Sequence, residues 1–238
     1  MILTAHQPVY LPWLGLFHKI ALADLFVSFN RVQYVPKDWL NRNKVKTPAG
    51  PIWLSVPALH KGHLESTIAD IRIDNSLPWR RKHWKSLQVN YAKAPYFGQY
   101  AAFFEDVYAQ TWERLVDLNE YMLKWFLATL GIDTPVRDAG EIGFEGHKSD
   151  LVLDMCRKLG ADMYIFGALG SDYADIPAFE SAGVACRFQD YRHPVYPQLY
   201  GDFVSHLSIV DLLFNCGEKS LDILMSGNLA KGDLLATA

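Results

Sequence analysis

The 238-residue chain has few cysteines, no excess of one charge and no apolar run long enough to cross a bilayer. Its three cysteines, Cys156, Cys186 and Cys216, are odd in number and widely spaced, which argues against a disulfide framework or a CxxC metal site. They favour a reducing compartment, so we expect a cytoplasmic protein without a membrane span. Since 23 Lys and Arg oppose 26 Asp and Glu, the net charge of -3 argues against nucleic-acid binding. The eight histidines are scattered without an HxH or HExxH pattern, and no metal site is predicted.

Apolar and aromatic residues, in contrast, are abundant. Hydrophobic residues make up 50% of the chain and aromatic residues 13%, which is enough for one large folded domain. We expect this domain to span residues 1–230, with a disordered tail at 231–238. Because Trp and Tyr have flat faces and a polar tip, part of the aromatic content suits stacking on sugars or nucleobases.

Two parts of the sequence alternate strand and helix. Residues 2–5 and 25–29 are predicted strands, and the apolar spacing of residues 13–23 predicts a helix between them. A second unit of this kind is predicted near the C-terminus, with strands at 162–166 and 184–188. These βαβ units predict one mainly parallel sheet in an α/β fold, of which the nucleotidyltransferase-like Rossmann type is one form.

The segments between the two units are expected to differ from them. Residues 33–75 are predicted to form a β-rich excursion with a basic loop, in which 52–56 and 68–73 are strands. Residues 78–130 are predicted to be helical, as three successive helices. A further amphipathic helix is predicted over residues 149–159.

The loop after the first strand is the first candidate site. Ligands of parallel α/β sheets gather where strands end, which places His6, Gln7 and Tyr10 at a ligand-binding edge. The imidazole of His6 suits general acid–base catalysis, and His193 after a later strand is a second candidate base. Tyr10 and Trp13 are expected to flank a sugar or base. The alternative is that His6 only hydrogen-bonds the backbone of its loop.

A basic segment is the second candidate. Lys37, Arg42, Asn43 and Lys44 combine cations with an amide, a set that can hold phosphate or carboxylate groups. A solvated surface is the alternative interpretation of the same charges. Lys148, at the start of a predicted helix, is a further candidate for binding phosphate.

A glycine-containing turn after a predicted strand is the third candidate. Gly167 and Gly170 allow backbone N–H groups to approach an anion. Asp172 and Tyr173 are expected to orient a hydroxyl or an amine of the ligand. An ordinary tight turn explains the same glycines equally well.

The run His60-Lys-Gly-His63 matches the HxGH pattern of class I nucleotidyltransferases. That chemistry needs a strand before the motif and a helix N-terminus after it. Here a strand is predicted after the motif instead, which favours a polar hairpin tip. A nucleotidyltransferase that uses His60 and His63 stays open as an alternative.

Several motifs along the chain resemble the WbqC-like family. The most specific is the opening run AHQPVYLPWLGLFHKI over residues 5–20. Others are VQY at 32–34, NRN at 41–43, FQD at 188–190, HPVYP at 193–197 and LSIVDLLFN at 207–215. The resemblance covers about residues 2–217 of the printed sequence, and the chain is identified as a member of this family.

The resemblance implies a role in bacterial surface-polysaccharide (O-antigen) or natural-product biosynthesis. A glycine-transferase role has been suggested for a relative, which implies transfer of an aminoacyl (glycyl) or acyl group to an amino sugar carried on a nucleotide. The small-molecule substrate is then a nucleotide-linked sugar, and the donor is activated by ATP or as a thioester, with a carrier protein as a further partner. A non-catalytic ligand- or carrier-binding assembly protein is the alternative.

Overall fold

The computed structural model describes residues 1–36, 38–59 and 66–236. In chain order the strands are β1 (Ile2–His6), β2 (Leu25–Ser28), β3 (Arg42–Thr47), β4 (Gly50–Ser55), β5 (Ala58–Leu59), β6 (Arg72–Ile73), β7 (Val136–Asp138), β8 (Met163–Phe166) and β9 (Ala185–Phe188). The helices are α1 (Leu14–Leu22), α2 (Trp79–Tyr91), α3 (Phe97–Ala109), α4 (Leu115–Leu130), α5 (Ala139–Ile142), α6 (Ser149–Leu159), α7 (Ile176–Ser181), α8 (Ile209–Cys216), α9 (Ser220–Met225) and α10 (Lys231–Ala236). No helix in these described ranges is long and apolar enough to span a membrane.

A five-stranded parallel sheet forms the centre of the molecule, in the order β7-β2-β1-β8-β9. Numbered by their sequence order within this sheet, the strands run 3-2-1-4-5, which is the order of doubly wound Rossmann-type folds. The predicted mainly parallel α/β fold is confirmed. The connections reverse direction between β1 and β8, where Ile2 pairs with Met163 and Thr4 with Ile165. Sheets of this type bind ligands at that switch point, beyond the carboxyl ends of the strands.

Both faces of the sheet are covered, which explains why the three central strands β1, β2 and β8 are short and mainly apolar. On one face Leu3 and Ala5 belong to the same apolar cluster as Val152 of α6 and Phe179 of α7. On the other face Ile2 lies in a cluster with residues of α1 and β8. The alternation of β1 therefore places α1 and α6 on opposite sides of the sheet.

The predicted basic loop is a strand, and this expectation was wrong. Residues 42–47 form β3, paired antiparallel with β4 from Arg42 opposite Ser55 to Thr47 opposite Gly50. Asn43 and Val45 are buried, whereas Arg42 and Lys44 on the other face are half-buried. The clustered charges conceal this alternation in the sequence.

The strand predicted at 68–73 is only partly present. Residues Ile68–Asp70 form a single 3₁₀ turn, and the two residues Arg72–Ile73 form β6. Thr67 and Asp70 begin the turn with a reciprocal capping box, which competes with extended pairing. The helical segment expected at 78–130 contains α2, α3 and α4, and the helix predicted at 149–159 matches α6.

A buried polar network holds the β3–β4 hairpin against the helices. The Tyr91 hydroxyl donates to the Asp211 carboxylate at 2.7 Å and accepts the Lys46 backbone N–H at 2.8 Å. The Lys46 ammonium donates to the Gln198 side chain at 3.0 Å and to the Asp202 carbonyl at 2.6 Å. This network fixes the hairpin next to the carboxyl edge of the sheet.

The C-terminal residues depart from the expected tail. Where a disordered tail was predicted over 231–238, Lys231–Ala236 form α10. Leu234 is buried in the same cluster as Ile2, and the Lys231 ammonium lies 2.6 Å from the Asp24 carboxylate. Residues 237–238 lie outside the described residues.

Acidification is expected to destabilise this fold between pH 6.5 and about 4, because a buried histidine resists protonation. His83 is 5% exposed and its Nδ1 lies 2.8 Å from the Tyr10 hydroxyl. Burial lowers the pKa of His83 from 6.5 to about 4, so the unfolded chain binds a proton that the folded chain excludes. His83 alone should lower the free energy of unfolding by about 2 kcal/mol between about pH 7.5 and about pH 5, measured by urea denaturation.

The control compares two histidine variants. His83→Gln should be less stable at neutral pH, yet its loss of stability on acidification should be smaller than that of the parent by about 2 kcal/mol. His147→Gln changes an exposed loop residue and should leave the pH difference as it is. An unaltered pH difference in His83→Gln contradicts the assignment.

Candidate functional site

A cleft with two chambers lies at the carboxyl edge of the sheet, over the switch point between β1 and β8. The large chamber has a volume of about 620 Å³ and the small one about 370 Å³. The chambers adjoin, because His6, Gln7, Trp13 and His206 line both of them. The sequence predicted the first three of these as site residues, but not His206.

His6 ends β1 and reaches the junction of the two chambers. Its Nδ1 lies 2.7 Å from the carbonyl oxygen of Gln7. Because a carbonyl can only accept, Nδ1 carries the hydrogen and Nε2 of the neutral ring keeps its lone pair. Burial and, to a smaller extent, the positive charge of Lys19 together lower the pKa of His6 from 6.5 to about 4. At neutral pH the ring is therefore uncharged and able to accept a proton.

Trp13 forms a wall shared by the two chambers. Its indole stacks on the His206 ring, with centroids 5.9 Å apart, and meets Tyr191 edge to face at 5.6 Å. The indole lies directly over Gly15, so that a Cβ added at Gly15 would collide with the ring. Glycine at this position thus allows the indole to occupy its place at the start of α1.

His206 belongs to the loop that precedes α8. Its backbone has a φ of 57°, a left-handed conformation that non-glycine residues adopt rarely. The ring Nδ1 lies 2.8 Å from the Ser205 hydroxyl. No pattern around residue 206 indicates this position, because the loop contacts Trp13 from the far end of the sequence.

His193, the second candidate base, lies behind His206. The two ring centroids are 5.1 Å apart, and the Nδ1 of His193 lies 2.9 Å from the carbonyl oxygen of Pro194. Burial lowers the pKa of His193 as well. Since His193 lines neither chamber, its position supports His206 rather than direct contact with a ligand.

Lys19 also lines the large chamber, although its sequence context does not indicate a site residue. It lies on α1, is only 3% exposed and donates from Nζ to the carbonyl oxygen of Ala5 at 3.0 Å. Burial lowers the pKa of Lys19 from 10.5 to about 8. A lysine within an apolar helix gives no sequence signal of its own, because most such residues are solvated.

The turn after β8 lines the large chamber opposite β1. Gly167, Gly170 and Tyr173 line the chamber, but the exposed Asp172 does not. Gly170 is required by packing, because an added Cβ would collide with Phe166, and its N–H donates to the Gly167 carbonyl at 2.9 Å. Nothing lies within 4 Å of a Cβ added at Gly167, so packing requires glycine at position 170 but not at position 167.

The small chamber is mainly apolar, lined by Val9, Trp39 and Leu40 together with Asp38 and Asn43. The Asn43 side chain is already engaged, since it donates to the Leu11 carbonyl and accepts the Lys44 backbone N–H. Asn43 therefore holds the chamber wall in place.

Arg42 and Lys44 of β3 lie outside both chambers. The guanidinium of Arg42 and the ammonium of Lys44 lie over the Trp53 ring, 4.5 Å and 4.9 Å from its centroid. Trp39 contacts Trp53 at 5.1 Å, which joins this cationic and aromatic surface to the small chamber. Lys37, the fourth residue of the basic set, lies outside the described residues.

The remaining residues that were considered as site residues lie elsewhere in the fold or outside the described residues. Tyr10 is a core residue with no exposed surface, and its hydroxyl bonds His83 and Tyr108 instead of a ligand. Lys148 is exposed at the start of α6 and lines neither chamber. His60 and His63 lie outside the described residues. Among the residues that the structure describes, no group of three or more His, Cys, Asp or Glu side chains could hold a metal ion.

Comparison with known proteins gives one family and one relative. The sequence model of the WbqC-like protein family matches residues 7–223. "Uncharacterized protein Rv1507c" of Mycobacterium tuberculosis (strain ATCC 25618 / H37Rv) is 32% identical over 220 residues, which cover 92% of this chain and 95% of the relative. No solved structure matches the chain. The family match covers the cleft residues from Gln7 to His206 and begins one residue after His6.

Gly15→Ala is expected to displace Trp13, whereas the matched variant Gly98→Ala is not. Gly15 and Gly98 are each the second residue of a helix, α1 and α3, so alanine should favour either helix by up to about 1 kcal/mol. Nothing lies within 4 Å of a Cβ added at Gly98, but the Trp13 ring occupies that space at Gly15. Gly98→Ala should therefore raise the thermal midpoint slightly, and Gly15→Ala should lower it.

The displacement itself is measured by fluorine NMR of protein labelled with 5-fluorotryptophan. One of the seven tryptophan resonances should shift strongly in Gly15→Ala, namely the one that disappears in Trp13→Phe. An unshifted Trp13 resonance contradicts the close contact between the indole and Gly15.

Proposed function

The chain belongs to the WbqC-like protein family, and we propose that it is a transferase that adds an aminoacyl (glycyl) or acyl group to an amino sugar carried on a nucleotide. The main support is the two-chambered cleft with the neutral ring of His6 at its junction. Transfer between two substrates requires two adjoining sites with a base between them. Biosynthesis of surface polysaccharides such as O-antigen, or of a natural product, is the proposed setting.

The large chamber suits the nucleotide-linked sugar. It lies at the switch point of a doubly wound sheet, where such folds bind nucleotides, and its volume of about 620 Å³ fits a ligand of this class. Trp13, Tyr173 and Tyr191 line it and offer aromatic faces on which a sugar or base can stack. In this arrangement the sugar lies at the junction, next to His6.

The small chamber suits the donor group. Its walls of Val9, Trp39 and Leu40 are apolar, which favours an acyl or aminoacyl chain over a charged nucleotide. The donor is activated as a thioester or as an adenylate made with ATP. Arg42 and Lys44, which flank Trp53 beside Trp39, provide positive charge for the phosphates of such a donor or for a carrier protein.

The proposed step is attack of the sugar amine on the carbonyl carbon of the donor. The amine nitrogen forms the new C–N bond and gives its proton to Nε2 of His6. The bond between the carbonyl carbon and its thiolate or adenylate leaving group then breaks. A thiolate leaving group takes the proton from the His6 ring. With an adenylate, AMP leaves as the anion and the His6 proton passes to solvent, so in both cases the neutral ring is regenerated. The products are an amide and a free thiol, or AMP in the case of an adenylate.

The charge state of His6 agrees with this role. A base must be uncharged before it acts, and burial keeps the pKa of His6 below neutral pH. The positive charge of Lys19 also lowers the pKa of His6. An anionic ligand beside Lys19 would offset this second effect and make His6 a stronger base when substrate is present.

His6→Asn should abolish most turnover while retaining ligand binding. Asparagine can keep the hydrogen bond from the Nδ1 position to the Gln7 carbonyl, but it lacks a group equivalent to Nε2. Loss of general-base catalysis should lower turnover by about 10²- to 10⁴-fold, measured as amide product by mass spectrometry with UDP-glucosamine and a glycyl thioester. The dissociation constant for UDP-glucosamine, from calorimetry, should change little.

His193→Asn is the matched control, because His193 lies outside both chambers. Its turnover should stay within about tenfold of the parent protein. If His193→Asn loses turnover and His6→Asn keeps it, the base is His193 and the proposed role of His6 is wrong. If the unmodified protein binds the nucleotide-linked sugar but no donor gives product, a non-catalytic binding protein replaces the proposed enzyme.

A further inference from the structure

Lys19 carries a charge that the described part of the protein does not neutralise. Its side chain is 3% exposed, and its ammonium donates to the Ala5 carbonyl at 3.0 Å. No Asp or Glu within the described ranges forms an ion pair with it, in contrast to Lys158 and Lys231. One carbonyl uses one of the three N–H groups of an ammonium, which leaves two for another acceptor.

Burial of an unpaired ammonium is unfavourable by several kcal/mol, so a structural lysine is normally paired or exposed. Lys19 could be replaced by an apolar residue if its only task were to fill space between α1 and the sheet. Its position therefore suggests that a ligand supplies the missing negative charge.

The surroundings of Lys19 strengthen its attraction for an anion. Leu16, Phe29 and Val152 line the same chamber, together with the buried Tyr164. Such apolar walls lower the local dielectric constant and increase the Coulomb attraction between the ammonium and a negative group. Asp190, the acidic residue that lines this chamber, is exposed and forms no ion pair with Lys19 among the described residues.

We propose that Lys19 binds a phosphate group of the nucleotide ligand in the large chamber. The inference rests on the proposed function for the nature of the ligand, and it adds the residue that holds the phosphate. Lys19 and His6 both line this chamber beside the end of β1. Lys19 thus places the phosphates next to the residue proposed to deprotonate the sugar amine. The same chemistry could serve the diphosphate of a nucleotide-linked sugar or the phosphates of ATP.

The test uses inorganic pyrophosphate as the probe and the thermal midpoint as the readout. Pyrophosphate should raise the midpoint of the parent protein. In Lys19→Met, which keeps the apolar stem and removes the charge, the dissociation constant for pyrophosphate should rise by at least about tenfold. Lys19→Arg keeps the charge and should retain part of the response.

Lys231→Met is the matched control. The Lys231 ammonium also donates to a backbone carbonyl, that of Ala23 at 3.1 Å, but it is paired with Asp24. This variant should be less stable than the parent and should respond to pyrophosphate in the same way. Without pyrophosphate, Lys19→Met should be at least as stable as the parent, because it removes an unpaired buried charge.

A second measurement covers the case in which Lys19→Met fails to fold. In the parent protein labelled with ¹³C-lysine, pyrophosphate should shift one lysine resonance, which Lys19→Arg removes. The proposal is overturned if the parent protein shows no response to pyrophosphate, if Lys19→Met binds pyrophosphate as the parent does, or if no lysine resonance shifts. If Lys19→Met loses binding of glycine but binds pyrophosphate as the parent does, Lys19 binds a carboxylate, and this result also overturns the proposal.

Two comparisons complete the test. The first identifies which ligand supplies the phosphate, and the second distinguishes failure of this site from failure of the proposed function. If Lys19→Met weakens the binding of UDP more than the binding of ATP, the phosphate belongs to the nucleotide-linked sugar. The reverse result assigns the phosphate to the activating nucleotide. Turnover does not enter either measurement. If pyrophosphate binding depends on Lys19 but no transferase product forms, the phosphate site is supported and only the transfer reaction is refuted.

Discussion

The parallel pairing of β1 with β8 is the constraint on which the rest of the structure depends. At this pair the connections reverse, so that α1 and α7 leave the sheet on opposite faces and the strand ends between them stay uncovered. His6 enters this gap from β1 and Gly167 from β8. The β3–β4 hairpin and the loop before α8 then close the gap from outside, and they divide it into two chambers around Trp13.

Two bases with linked charges, the buried Lys19 and the half-buried His6, give this cleft its chemistry. Lys19 and His6 lie at the end of the same strand, and the charge of the first lowers the pKa of the second. Burial disfavours the charged form of both side chains, so a ligand beside them would shift both protonation equilibria. A phosphate beside Lys19 would make the neighbouring imidazole more basic, which couples binding of one substrate to activation of its amine.

The sequence predicted the features that depend on neighbouring residues. Short apolar runs around a helical spacing indicated β1, α1 and β2, and the position of His6 followed from the end of a strand. The features it did not predict depend on distant contacts. Tyr10 is a core residue because it bonds His83, which lies 73 positions away, and the loop of His206 reaches Trp13 from the far end of the chain. Lys19 resembled a surface charge, since burial is a property of the folded sheet and not of the local pattern.

A crystal structure of the protein with UDP-glucosamine tests the central claim most directly, namely that one cleft binds the phosphates and presents the amine. The account predicts a phosphate oxygen within about 3 Å of Lys19 Nζ, and the sugar amine within about 3 Å of His6 Nε2. A ligand seated away from both side chains, for example on Arg42 and Lys44 beside Trp53, would contradict it.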